Sequence, residues 1–341
     1  MKRSVSVIVP TTVSLERAPL LGRALRSLQE QQHHVIVPIV VANGTRYLPE
    51  VLESLKQRQD IRFIYLDRHS HTEARLAGRK AVDTEFFAFL DDDDEYLPGA
   101  AQQQLGAIAR DPSVDVLITN GYRHESGQDV VQLADVPSLQ RDPLRSLMDF
   151  SWLHNAGALF RSERISSDDL QGPPAMELTY MALKLALTKT LKFLDVPTYR
   201  WYRGTPESLS ATKGYRAAEP EAIREMLKLN PPAYIKRRLR RKYAASLHCL
   251  SDTERQDGCY RAAWRYHLRS LASLYGIPYL LYTRHLLRPK RTRKPAAGGR
   301  SPGRPPCHGL GAGRRAVAEG LIKKALLDIK SIDLVLHSRR R

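Results

Sequence analysis

Short apolar runs and amphipathic stretches alternate along the first part of the chain. Val5-Ser6-Val7-Ile8-Val9-Pro10 is a β-rich run closed by proline, and Leu21, Leu25 and Leu28 then fall on one face of a helix over Leu20–Gln29. Val35–Val41 reads as a second strand, stopped by the turn signal Asn43-Gly44. A helix over 48–55, a strand over 61–66, a helix over 73–82 and a strand over 86–90 follow. The strands are apolar enough to be buried on both faces. Their alternation with helices predicts an α/β fold with a largely parallel sheet covered on both sides. Beyond Pro98 the pattern predicts a helix to about Arg110 and strands over 114–119, 130–133, 159–160 and 192–196, the last ended by Pro197. A helix spans 177–188, and residues 234–249 and 260–287 read as helical with a break at Gly276-Ile277-Pro278.

Charge divides the chain. Residues 1–230 hold 28 Lys/Arg against 30 Asp/Glu, whereas residues 231–341 hold 26 against 6. A near-neutral globular region is thus followed by a cationic one, suited to an anionic surface such as lipid headgroups or nucleic acid. Cys249, Cys259 and Cys307 form no CxxC pair, no stretch has the length of a bilayer span, and no signal peptide is evident, so cytoplasmic residence is expected. Residues 289 to about 315 are rich in Pro, Gly and Arg and read as disordered, with one further helix expected over 321–336.

The strand Phe87-Ala88-Phe89-Leu90 ends in Asp91-Asp92-Asp93-Asp94-Glu95. Adjacent like charges resist burial unless something positive neutralises them. Mg2+ and Mn2+ favour such oxygen ligands, and the ends of parallel strands are where α/β sheets bind ligands. A solvated acidic loop or a helix N-terminus accounts for the same residues equally well.

Four segments together resemble the family 2 glycosyltransferases, the nucleotide-diphospho-sugar transferases of GT-A fold. They are Val7-Ile8-Val9-Pro10-Thr11-Thr12, Val40-Val41-Ala42-Asn43-Gly44-Thr45, Ala74-Arg75-Leu76-Ala77-Gly78 and Phe89-Leu90-Asp91-Asp92-Asp93-Asp94, spread over a resemblance running from Val5 to Ala211. It implies a Rossmann-like, mostly parallel mixed sheet flanked by helices, in a glycosyltransferase domain over 1–215. The charge and helical pattern beyond it give a basic helical C-terminal extension over 216–288, suited to membrane association, and a basic tail over 289–341.

The resemblance implies a donor site at Pro10, Thr11, Asn43, Arg75, Asp91 and Asp92, with Asp93 and Asp94 holding Mn2+ or Mg2+. Within that run Asp91 would contact the ribose and Arg75 the diphosphate, while Asp92 occupies the variable position of the motif. Ala42 replaces the family's first Asp, which often reads uracil, so the base is not specified; Asn43 is equally a turn residue. An inverting transfer needs a carboxylate base. The family's Glu-Asp pair reads Glu177-Leu178 here, which leaves Glu177 as the candidate base and Asp168 and Asp169 in reserve. Glu177 is also a plain helix N-terminal glutamate. His154 and Arg203 are further phosphate or acceptor candidates, His154 also reading as a packed residue beside Trp152.

Trp264, Tyr266, Leu268, Leu271, Leu274, Tyr275, Tyr279, Leu280 and Tyr282 form an aromatic-rich stripe after the cationic run Lys236–Lys242. Such helices suit an anionic membrane surface, or simply cap the catalytic domain. The expected function is a metal-dependent inverting transfer of sugar from a nucleotide-diphosphate donor. The acceptor is a glycan or lipid-linked molecule of envelope or capsular polysaccharide synthesis, met at the inner face of the cell membrane, and nucleic acid is not expected as a partner. The alternative is a non-catalytic nucleotide-sugar-binding relative that has lost its base at Leu178.

Overall fold

The computed structural model describes residues 4–31, 35–205 and 213–287. The expectations for residues 289–341 lie outside them. The chain forms two compact units, one of residues 4–172 and 177–205 and one of residues 173–176 and 213–287.

In the first unit the elements run β1 (Ser4–Thr11), α1 (Ala18–Gln29), β2 (Val35–Asn43), α2 (Pro49–Gln57), β3 (Arg62–Leu66), α3 (His71–Lys80) and β4 (Phe86–Phe89). There follow β5 (Glu95–Tyr96), α4 (Ala100–Ala109), β6 (Val116–Glu125), β7 (Gln128–Val131), α5 (Val136–Arg141) and α6 (Pro143–Leu147). The unit ends with β8 (Ala158–Arg161), α7 (Ser167–Leu170), α8 (Glu177–Thr188) and β9 (Leu191–Tyr202). The sheet order is β3-β2-β1-β4-β8-β6-β9-β5, with β7 paired to β6. β1 runs parallel to β2 and β4, and β2 to β3, while β8 joins β4 and β6 antiparallel. The chain therefore leaves β1 to one side for β2 and β3 and returns to its other side as β4. That reversal opens a crevice beyond the carboxyl ends of β1 and β4, the usual ligand position in such sheets.

Helix α3 bears on this crevice. Ser70 caps it, accepting from the Glu73 amide, and Arg79 and Lys80 in its last turn complement the helix dipole. Gly78 lets it lie close to β1, since a Cβ there would fall 2.3 Å from Ile8 Cγ2. The guanidiniums of Arg75 and Arg79 lie 4.2 and 4.6 Å over the rings of Phe89 and Phe87 on β4. Four residues of helix and two of strand both advance by about 6–7 Å, so the two pairs keep step.

β9 continues past the expected stop at Pro197 to Tyr202. The proline sits opposite Asn120, where the pairing with β6 shifts register, and an irregularity of this kind tolerates its missing N–H. Gly121 and Gly157 leave a slot for the buried Tyr199 ring, which a Cβ at either position would meet at 2.4 or 2.6 Å. Helices α5 and α6 carry Pro137 and Pro143 in their first turns and are too short to show a hydrophobic period.

The second unit comprises α9 (Lys213–Lys228), α10 (Ala233–Gln256), α11 (Tyr260–Leu271), a 3-10 segment (Leu274–Tyr282) and α12 (Thr283–Leu287). Ile235, Leu239, Leu247 and Leu250 of α10 face its interior, and Arg237, Arg240 and Arg241 are exposed. Among the described residues no helix is long and apolar enough to cross a membrane.

Candidate active site

The acidic run follows β4 directly, and each carboxylate has a different environment. Both carboxylate oxygens of Asp91 accept from the Asn155 side-chain amide, at 2.9 and 3.0 Å, and Asp91 lies 3.7 Å from His71 Nε2. Burial pushes Asp91 up, but His71 and Asn155 outweigh it and hold the group below the usual carboxylate range. Asp92 is buried against Arg17. Asp93 takes the other arm of Arg17 at 3.1 Å and the Thr205 hydroxyl at 2.6 Å. Its carbonyl accepts from Arg23, whose guanidinium lies over the Tyr202 ring. Asp94 is buried facing His154, with Nε2 3.8 Å from Oδ2. Burial, then the charges of Asp91 and Asp93, push Asp94 well above the usual range.

Helix α8 brings Glu177 to the same place. Arg75 holds its Oε1 at 2.9 Å, and His71 Nδ1 lies 3.7 Å from its Oε2. Burial pushes Glu177 up, and His71 and Arg75 more than reverse this, leaving it depressed. Burial likewise opposes the charged form of His71, but Asp91 and Glu177 raise it to about 9. His71 and Arg75 lie one helical turn apart on α3, so this helix joins the strand carboxylate to the helix carboxylate.

The other expected residues are also located. Pro10 and Thr11 end β1 beside β2, where they pair with Val41 and Ala42. Asn43 donates to the Thr11 carbonyl and accepts from the Ser70 amide, bracing the ends of β1 and β2 and the start of α3. Gly44, with φ +89°, makes the turn that follows. Arg75, expected at the diphosphate, donates to Glu177 Oε1 and reaches Met181 Sδ. His154 stacks on Tyr199, centroids 4.7 Å apart, and burial lowers its pKa. Arg203 pairs with Glu125 at the surface. Asp169 closes the capping box of α7 with Ser166 and pairs with Lys189.

His71, Asn155, Arg17 and Thr205 complete the site without having been expected in it. His71 had a local signal, since it precedes Arg75 by four residues. The others come from distant segments and carry no spacing pattern.

Thr12 Oγ1, Asp92 Oδ2, His154 Nδ1 and Asn155 Oδ1 are buried with no hydrogen-bond partner. Buried polar atoms are nearly always satisfied, so a group of unsatisfied ones around a crevice marks a place for a polar ligand. Among the described residues no three His, Cys, Asp or Glu side chains gather to hold a metal by themselves. The donor set nevertheless fits a hard divalent cation. Asp93 and Asp94 offer oxygens, the mutual repulsion at Asp94 would be relieved by a cation, and Mg2+ commonly takes one or two carboxylates with phosphate and water.

The family model "Glycosyl transferase family 2" matches residues 6–167, the segment that carries β1 to β8 and the acidic run. Over those residues the chain carries a family 2 glycosyltransferase domain, and its sheet has the GT-A fold. Among solved structures, residues 1–349 of S. aureus TarS in complex with UDP-GlcNAc align at TM-score 0.53 and 19% identity, covering 84% of this chain and 82% of that one. The same TarS segment with UDP aligns at TM-score 0.51 and 18% identity, over 76% of this chain and 75% of that one. At such identity the likeness is one of fold. No curated protein sequence matches the chain.

Proposed function

We propose that the chain transfers a sugar with inversion from a nucleoside-diphosphate donor to a hydroxyl of a glycan or lipid-linked acceptor. The His71 imidazole, 3.7 Å from both Asp91 and Glu177, carries this reading, because it lies within reach of both the carboxylate proposed for the donor and the carboxylate proposed as base. TarS binds UDP and UDP-GlcNAc on the same fold, which makes a uridine donor the first to test. Ala42 does not reproduce the family's uracil-reading Asp, so other bases belong in the same test.

In this reading Asp91, fixed by Asn155, orients the donor sugar–ribose region. Thr12, Asn155 and His154 offer unsatisfied polar atoms to the donor. Mn2+ or Mg2+ held by Asp93 and Asp94 would supply Lewis-acid stabilisation of the leaving diphosphate. Glu177 accepts the acceptor proton as the hydroxyl oxygen bonds to the anomeric carbon, while the bond from that carbon to the diphosphate oxygen breaks. Arg75 and His71 keep Glu177 ionised and aligned. A cationic second unit suits an acceptor of envelope or capsular polysaccharide synthesis presented at the cytoplasmic face of a membrane, and the domain limits proposed from the sequence, 1–215, 216–288 and 289–341, accompany this reading.

A screen of nucleotides and nucleotide-sugars tests it. Thermal unfolding should shift upward with the cognate nucleotide, more so with Mn2+, because binding to the native state stabilises it. Sugar release from the cognate donor should depend on acceptor. Nucleotide binding with no sugar release under any acceptor or metal would instead favour the non-catalytic alternative.

A further inference from the structure

The second unit carries a ridge of large aliphatic side chains in water. Leu268 on α11, Leu274, Ile277, Leu280 and Leu281 on the 3-10 segment and Leu287 on α12 range from 53% to 81% exposed. Single exposed leucines need no account, but six within residues 268–287 are a patch. The ridge is firmly backed. Tyr279 stacks on His248 at 4.1 Å, the Tyr282 hydroxyl donates to Asp252 at 2.8 Å, and His267, fully buried, bonds Thr283. Gly276 packs so tightly that a Cβ would fall 1.9 Å from the Ser270 carbonyl oxygen. Of the stripe expected from the sequence, the tyrosines 279 and 282 thus serve as inward pegs, and leucines 268, 274 and 280 stand outward.

The charge around the ridge has one sign. Arg261, Arg265 and Arg269 are exposed at successive turns of α11, flanking Leu268. Arg241 lies near the Tyr275 ring, and Arg284 is exposed between Leu281 and Leu287. No Asp or Glu occurs from Gly258 to Leu287. Residues 288–341 hold 15 Lys/Arg against 3 Asp/Glu, so covering the ridge with them would set like charge on like charge. A second copy of the ridge would do the same. Nucleic acid offers phosphates but no apolar phase for six aliphatic side chains.

We propose that this ridge docks on an anionic lipid bilayer, its leucines entering the headgroup–acyl boundary and the α11 arginines resting at lipid phosphates. The proposal is independent of the transfer reaction, because vesicle binding is read without turnover.

Co-sedimentation of the full chain with neutral phosphatidylcholine vesicles, and with the same vesicles containing phosphatidylglycerol, tests it. Binding to the anionic vesicles alone, weakened by salt, is expected. Leu274→Asp with Leu281→Asp should weaken binding by about tenfold or more. Arg261→Gln, Arg265→Gln and Arg269→Gln together should weaken it by a similar factor while retaining the apolar ridge. Circular dichroism would confirm that both variants stay folded, and Leu274→Ser with Leu281→Ser provides a milder replacement if the aspartates unfold the unit. Vesicle binding unchanged in both variants would overturn the proposal by placing the contact elsewhere. So would a dimer lost in the leucine variant without any vesicle binding, or binding that duplex DNA competes away equally from wild type and leucine variant.

Discussion

In the first unit, most of the carboxylate charge after β4 is met from within: Arg17 and Arg23 of the α1 region, His71 of α3, Asn155 before β8 and Thr205 after β9 converge on Asp91, Asp92 and Asp93, and Asp94 is left under their repulsion. In the second unit, the arginines of α11 stand beside exposed leucines in a stretch without a single carboxylate. Both regions concentrate charge of one sign, yet only the first surrounds it with partners of the opposite sign. Burial is the reason. A buried charge must be compensated inside the fold, whereas an exposed one can wait for an external partner.

The comparison predicts that changes in the first unit act on chemistry and stability together. Glu177→Gln should lower turnover by about 10²–10⁴-fold while nucleotide affinity, read by calorimetry, stays near wild type. Full turnover in that variant would remove Glu177 from the role of base. Gly78→Ala should cost about 1–3 kcal/mol in urea unfolding, because the stiff, buried Ile8 must yield to the new methyl. His71→Gln should lower kcat/KM about tenfold, the equivalent of roughly one pKa unit of lost interaction.

The pH dependence follows from the same pairings. His71 is raised from 6.5 to about 9, so its stabilisation is complete below pH 6.5 and is lost as pH rises through 9. Glu177 is depressed, so its contribution is present above its ordinary pKa of 4.5 and is lost on acidification below it. Wild-type activity should therefore fall on an alkaline limb near pH 9 that His71→Gln lacks, as a pH–rate profile would show. The smallest effect is expected at Arg203, whose partner is the exposed Glu125. Arg203→Ala should change stability by less than about 0.5 kcal/mol and leave turnover alone.

Much of the sheet was legible because β1, β2 and β4 are largely buried on both faces and their apolar runs are continuous, while the half-buried β3 still shows a short apolar run. The Gly-Pro punctuation misled only at Pro197, where a register shift that no local pattern announces lets β9 continue. The acidic run and Glu177 were legible as types in order along the chain. Their partners were not, since Arg17, Asn155 and Thr205 reach the run only through the topology of the sheet. Arg75 shows the limit from the other side. Its place on α3 followed from the sequence, but whether it faced solvent, phosphate or Glu177 depended on where α8 lands.

Helix α3 carries His71, Arg75 and Gly78 along one side, with the glycine at the end seated on Ile8. About 10 Å of rigid rod separates the first from the last. The alignment of the two carboxylates is therefore gauged by a clearance at the far end of that rod, where a single hydrogen atom takes the place of a methyl. Redesign for a new donor has room in the loops after β1 and β2, whereas alterations to the thickness of this helix–strand contact would be passed along the rod to both carboxylates at once.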